Sequence, residues 1–277
     1  MIHHHILDWD DAYANTPNIP GGERYPDLWV EAAQSFRTGM LAEGRARIDV
    51  AYGPHARHKL DLFQPYSPAI GLVVFVHGGY WMKMDKSYFS MLAAGPLACG
   101  WAVAVPSYNL CPDVSITEIT REVGAAITGA AEMVTGPLCL TGHSAGGHLV
   151  TRMVTSTSPL TAAVRARIRH TLSISGVHDL RPLLHTAMNT TLKLDEAEAQ
   201  RESPALLVPL PGTRLTCWVG AAERSEFIRQ SALLANAWTG LGAHTACVLE
   251  PDRHHFNVID GLREARSTLT TALVGEA

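Results

Sequence analysis

Residues 137–150 read PLCLTGHSAGGHLV. PLCLTG (137–142), with the short apolar run Leu138, Cys139 and Leu140 behind a proline, reads as a buried strand. From Ala145 to about Thr155 small and apolar residues read as a helix. Between the two lies Gly142-His143-Ser144-Ala145-Gly146, a GxSxG at a strand-to-helix corner. Side chains at the flanking glycines would run into the neighbouring strand and helix. A residue at the apex of such a turn is held in strained backbone, which lifts the Ser144 hydroxyl clear of the sheet. The Ala145 N–H falls at a helix N-terminus, where backbone donors and the helix dipole favour developing negative charge. Ser144 is the candidate nucleophile and the Ala145 N–H a candidate oxyanion donor. An ordinary serine in a Gly-rich turn is the competing reading, and the flanking strand and helix count against it.

Outward from this corner, strands and helices alternate. Residues 59–64 (KLDLFQ) alternate in polarity up to Pro65, while 71–76 (GLVVFV) and 101–105 (WAVAV) are continuous apolar runs. Ile116, Ile119, Val123, Ile127, Ala131 and Val134 recur at helical spacing. IRHTLSIS (168–175), RLTCWVG (214–220) and HTACVLE (244–250) read as further strands, and 256–274 as a closing helix. The expected fold is α/β: one domain over 1–277, with a mostly parallel central sheet and helices on both faces. Residues 1–45, with Tyr13, Tyr25, Trp29 and Phe36, and the insertion 178–211 stand outside the alternation. Both are expected as cap-like segments, the alternative being that they only cover the sheet edge.

A second motif, His77-Gly78-Gly79-Tyr80-Trp81, follows the GLVVFV run. Glycines there let backbone N–H groups approach a substrate oxygen. The Gly79 and Tyr80 N–H groups are the expected partners of Ala145 in an oxyanion hole. A serine hydroxyl also needs a base, and imidazole titrates in the right range. Asp252-Arg253-His254-His255-Phe256 follows the last strand; a His-x-Phe pattern selects His254, a His-Phe pattern His255. The acid that orients the base is sought after strand 214–220, where Glu223 comes first and Glu226 is its rival; Asp179, one strand earlier, is a third candidate. Trp81, His143 and the histidine not used as base are candidate pocket residues. For each of these the alternative role is packing or solvated loop.

Composition limits the other classes. With 47% hydrophobic and 17% charged residues the chain is globular, which excludes wholesale disorder. A net charge of −4 without a Lys/Arg run argues against a nucleic-acid partner. No segment has the roughly 20 apolar residues of a membrane span, and the N-terminus does not read as a signal peptide. Cys99, Cys111, Cys139, Cys217 and Cys247 are odd in number and lack a CxxC pair. Reduced thiols and a cytoplasmic location are therefore expected. His3-His4-His5 reads as solvated, and with no HExxH pattern neither a metal nor another cofactor is expected.

HGGYW (77–81), GHSAGGHL (142–149), GAAERSEFIRQS (220–231) and HHFNVID (254–260) together resemble the kynurenine formamidase (arylformamidase) branch of the α/β-hydrolases. The wider group includes esterases of the hormone-sensitive-lipase kind. The resemblance spans about residues 59–265. It implies an α/β-hydrolase fold and a serine hydrolase acting on a small carboxylic ester or an aryl formamide. In that family the base precedes a phenylalanine, which implies His255, and the acid precedes the Glu-Phe pair by three residues, which implies Glu223. The family more often carries aspartate there. A catalytically inactive binding protein on the same fold is the rival from another class. The expected partners are a small-molecule ester or amide and, in assembly, a homodimer.

Overall fold

The computed structural model describes residues 6–275; the His3–His5 run lies outside them. Eight strands form one sheet: β1 Ala46–Ala51, β2 Lys59–Phe63, β3 Leu72–Val76, β4 Ala102–Pro106, β5 Leu138–His143, β6 Ile168–Ile174, β7 Arg214–Gly220 and β8 His244–Glu250. Their order is β1-β2-β4-β3-β5-β6-β7-β8. The β1–β2 and β2–β4 pairs are antiparallel and every other pair is parallel.

The continuous apolar runs are explained by burial on both sides. Every residue of β3, β4 and β5 is buried. Leu72, Val74 and Val76 of β3 enter one core cluster, and Val73 and Phe75 the other, as the two-residue period of a strand requires. On the first face pack α4 (Ile116–Met133), α5 (Ala145–Arg152) and the start of α9 (Ser225–Thr239). On the second face pack α2 (Tyr25–Ala42), α3 (Ala94–Ala98) and α10 (Thr268–Val274). The remaining helices are one-turn pieces: α1 (Trp9–Tyr13), α6 (Ala162–Arg165), α7 (Asn189–Leu192) and α8 (Glu196–Arg201). The last two belong to the insertion 178–211. That insertion sits on the first face, where Leu180, Leu183, Leu192 and Ala199 join the core of α4 and α5. Tyr25–Ala42 is a helix on the second face, with Trp29 and Ala33 buried there.

Two expectations need correction. Residues 256–274 are not one helix: a short turn at Asp260–Arg263 is followed by a new start, with the Ser267 hydroxyl accepting from the Thr270 N–H to cap α10. The Phe256–Ile259 stretch instead packs back under α2 to close the loop that carries His255. β1 was not expected. Its residues alternate half-buried and exposed on the sheet margin, with Arg47 and Asp49 interrupting the apolar pattern. Among the described residues no helix is long and apolar enough to cross a membrane. All five cysteines are free.

Several histidines are locked in this core without charge. His77 is stacked on Tyr108 at 4.2 Å between ring centroids. His148 accepts from Trp81 Nε1–H and donates to the Glu202 carbonyl. His178 lies between Thr151 and Ser173. Burial pushes His77 and His148 down to about 4 and His178 to about 3. The unfolded chain protonates these rings near pH 6.5, while the native chain keeps them neutral until far lower pH. Below pH 6.5 the unfolded state therefore binds more protons, and stability falls with falling pH. Urea unfolding is expected to show stability level above about pH 7 and decreasing between pH 6.5 and 4, by up to about 1.4 kcal/mol per pH unit for each such ring. His178→Gln should flatten the slope, and a profile flat down to pH 5 would contradict this account.

Candidate active site

β3, β5, β6, β7 and β8 run parallel as neighbours, so their C-terminal ends share one edge of the sheet. Each delivers a polar group there: the His77–Tyr80 loop after β3, Ser144 after β5, Ser175 after β6, Glu223 after β7 and His255 after β8.

Ser144 is buried, at φ 56° and ψ −118°, and its N–H is fixed on the Ile174 carbonyl of the next strand at 2.8 Å. A non-glycine residue in this region carries strain of about 1–3 kcal/mol. The two motif glycines make it tolerable. A Cβ on Gly146 would stand 2.0 Å from the Val76 carbonyl oxygen, and one on Gly142 would stand 2.4 Å from the Gly146 oxygen. The corner thus closes tightly against β3, and α5 begins directly behind the hydroxyl.

The loop after β3 lies against this corner: a Cβ on Gly78 would be 2.8 Å from the His143 oxygen and 3.1 Å from Ser144 Cβ. Gly79, Tyr80 and Trp81 all have positive φ, at 110°, 56° and 59°. Among the described residues the N–H groups of Gly79 and Tyr80 donate to no protein acceptor. The side chains serve elsewhere. Tyr80 Oη donates to the Tyr13 carbonyl. Trp81 is 1% exposed and packed in the first core cluster, beneath the loop instead of in a pocket.

His255 Nδ1 is 2.6 Å from Glu223 Oε2. The other carboxylate oxygen accepts from Ser175 Oγ at 2.5 Å and from the Gly220 N–H at 2.8 Å. With Nδ1–H on the carboxylate, Nε2 is the unprotonated atom, and it has no protein partner among the described residues. The ring is clasped between Phe227 and His143, at centroid distances of 4.3 and 4.6 Å. His143 donates its Nε2–H to the His255 carbonyl at 2.8 Å. Burial, and then the neighbouring His255, pushes the His143 pKa well below its usual value, so it stays neutral. His143 directly precedes Ser144, and this contact ties the loop after β8 to the Ser144 corner.

The competing candidates are engaged otherwise. His254 is bonded through Nε2 to the Tyr25 hydroxyl at 3.1 Å, and Nδ1 accepts from the Phe256 N–H. Glu226 is fully buried on Tyr13, Arg229 and Gln230. Asp179 is held by both arms of Arg181. Ser175 was not anticipated from the sequence. Its only trace there is a polar residue before Gly176 at the end of an apolar strand. A cavity of about 340 Å³ opens beside His255, lined also by Asn15, Glu223, Arg224, Ser225 and His254.

Residues 60–207 match the BD-FAE family. Kynurenine formamidase of Danio rerio is 32% identical over 256 residues, 88% of this chain and 86% of that protein. Kynurenine formamidase of Salmo salar is 32% identical over 82% of this chain and 80% of its own length. A crystal structure of a candidate thioesterase from Silicibacter sp. TM1040 superposes with a TM-score of 0.92 at 47% identity, covering 96% of this chain and 99% of that one. By sheet order, corner geometry and these relatives, the chain is an α/β-hydrolase that belongs to the kynurenine formamidase family.

Proposed function

We propose that the protein hydrolyses a small carboxylic ester or an aryl formamide through an acyl-enzyme on Ser144. The observation that carries this reading is the Glu223–His255 pair, with Nε2 left free, on the sheet edge that also bears Ser144. Ser144 Oγ attacks the carbonyl carbon and gives its proton to His255 Nε2. Glu223 holds the tautomer and stabilises the imidazolium. The N–H groups of Gly79, Tyr80 and Ala145 take the charge that develops on the carbonyl oxygen. His255 then protonates the leaving group, and water repeats the sequence to free the acid. The unengaged Gly79 and Tyr80 donors support the oxyanion assignment, and the position of Ala145 as first residue of α5 supports its share. An inert binding protein on this fold has no observation in its favour.

Of the 1–45 segment, residues 6–24 are read as cap together with the insertion 178–211, since Tyr25–Ala42 packs on the second face. Hydrogen bonds of Asn15 and Tyr13 to Tyr80, and of Ala187 to Asp10, support that reading. A homodimer is part of the same proposal, supported by the edge position of β8 and tested by sedimentation; the five free cysteines support a cytoplasmic location.

Ser144→Ala should lower kcat by about 10⁴-fold or more on phenyl esters and formanilides alike, with thermal stability retained. A fluorophosphonate should label the wild type and not the variant. Activity surviving in Ser144→Ala would end the mechanism. Ser175→Ala removes one charged hydrogen bond from Glu223, worth about 1.5–3 kcal/mol. A fall of about tenfold or more in kcat is expected, with KM nearly constant; an unchanged kcat would deny Ser175 any part in holding the acid.

A further inference from the structure

Asn15 is only 2% exposed, yet half of its amide is unused. Its Nδ2 donates to the Tyr80 hydroxyl at 3.0 Å, and that hydroxyl donates in turn to the Tyr13 carbonyl at 2.8 Å. The tyrosine has one proton, already given to Tyr13, so it can only accept from Asn15. This fixes the amide with its nitrogen toward Tyr80 and Oδ1 turned away. Among the described residues Oδ1 accepts no hydrogen bond. Asn15 lines the 340 Å³ cavity that also holds His255 and Glu223. Oδ1 is not among the sealed polar atoms, so although the residue is nearly buried this acceptor stays accessible, and Asn15 lines the cavity from which a ligand can supply the donor.

We propose that Asn15 Oδ1 is a specificity-determining acceptor for an N–H on the leaving group, so that the site prefers N-aryl formamides to matched esters. This rests on the acyl-enzyme reading above and goes further by choosing between its two substrate classes. When Ser144 Oγ bonds to the formyl carbon, the amide nitrogen becomes pyramidal and carries one hydrogen and one lone pair. The lone pair must face His255 to receive the proton taken from Ser144 as the C–N bond breaks and the amine leaves. An acceptor beside the nitrogen holds the hydrogen on the other side and so turns the lone pair toward the imidazole. An ester oxygen has no hydrogen to give and meets Oδ1 with a lone pair of its own. Asn15 also bonds Tyr80, whose backbone N–H is assigned to the oxyanion hole, so one hydrogen bond joins the grip on the leaving group to the grip on the carbonyl.

The test uses formanilide, N-methylformanilide and phenyl formate on the whole protein and on Asn15→Leu and Asn15→Asp. Asn15→Leu should lower kcat/KM for formanilide on the order of tenfold or more, as loss of a partner for a substrate N–H does, and lower it for phenyl formate by a clearly smaller factor, the share due to the lost bond to Tyr80. In the wild type N-methylation should cost a similar factor, and in Asn15→Leu that cost should largely vanish, the signature of a direct coupling. Asn15→Asp keeps an acceptor and should keep the preference for formanilide over its N-methyl analogue. Parallel losses on amide and ester in Asn15→Leu would reduce Asn15 to a structural support of Tyr80 and overturn the proposal. So would an unchanged formanilide rate. If Asn15→Leu fails to fold, wild-type indifference to N-methylation, or loss of the preference in Asn15→Asp, overturns it equally. Absence of turnover on all three substrates, without fluorophosphonate labelling of Ser144, would instead sink the hydrolase reading itself.

Discussion

The approach of Gly146 to the Val76 carbonyl is the contact on which the rest of the molecule depends. Only a residue without Cβ allows α5 to start so close to β3, and only that start forces Ser144 to φ 56°. The strain is balanced by the two cores that hold β3 and β5 from both faces, since neither strand can yield without opening apolar surface. A rigid sheet is therefore what keeps a strained serine in place. The Ser144 N–H bond to Ile174 adds a tie to the strand on the other side.

The same sheet solves a positioning problem for charge. Glu223 is anchored through both oxygens, one on His255 and one on Ser175 and the Gly220 N–H. Three successive strand ends thus fix one carboxylate, and the longer glutamate reaches the imidazole at 2.6 Å. Phe227 and His143 confine the ring from its sides without adding charge, because His143 is held neutral. Neutral neighbours leave the carboxylate as the only formal charge in contact with the imidazole.

Much of this was legible in the sequence because the relevant constraints are local. The GxSxG corner, the HGG loop and the apolar strands each follow from residues adjacent in the chain. β2 through β8 fall within a residue or two of their expected bounds. What was missed depends on distance. The half-exposed alternation of β1 takes on meaning only once β2 lies beside it. Residues 256–267 have helical composition, but packing against Tyr25 and Trp29 overrides it. Spacing could not separate His254 from His255, since they are adjacent in the chain; what distinguishes them is that Tyr25 takes one ring and Glu223 the other. Ser175 and Asn15 have no local signature, and their significance comes only from what the fold puts next to them.

The groups that meet at the sheet edge come from far apart along the chain, from Asn15 near one end to His255 near the other. During synthesis the serine and its glycines leave the ribosome more than a hundred residues before the imidazole. On the proposed mechanism a partly made chain carries a bare hydroxyl with no base to activate it. On that mechanism reactivity waits for completion of the fold, and copies cut short before His255 would be chemically silent toward the esters and amides around them.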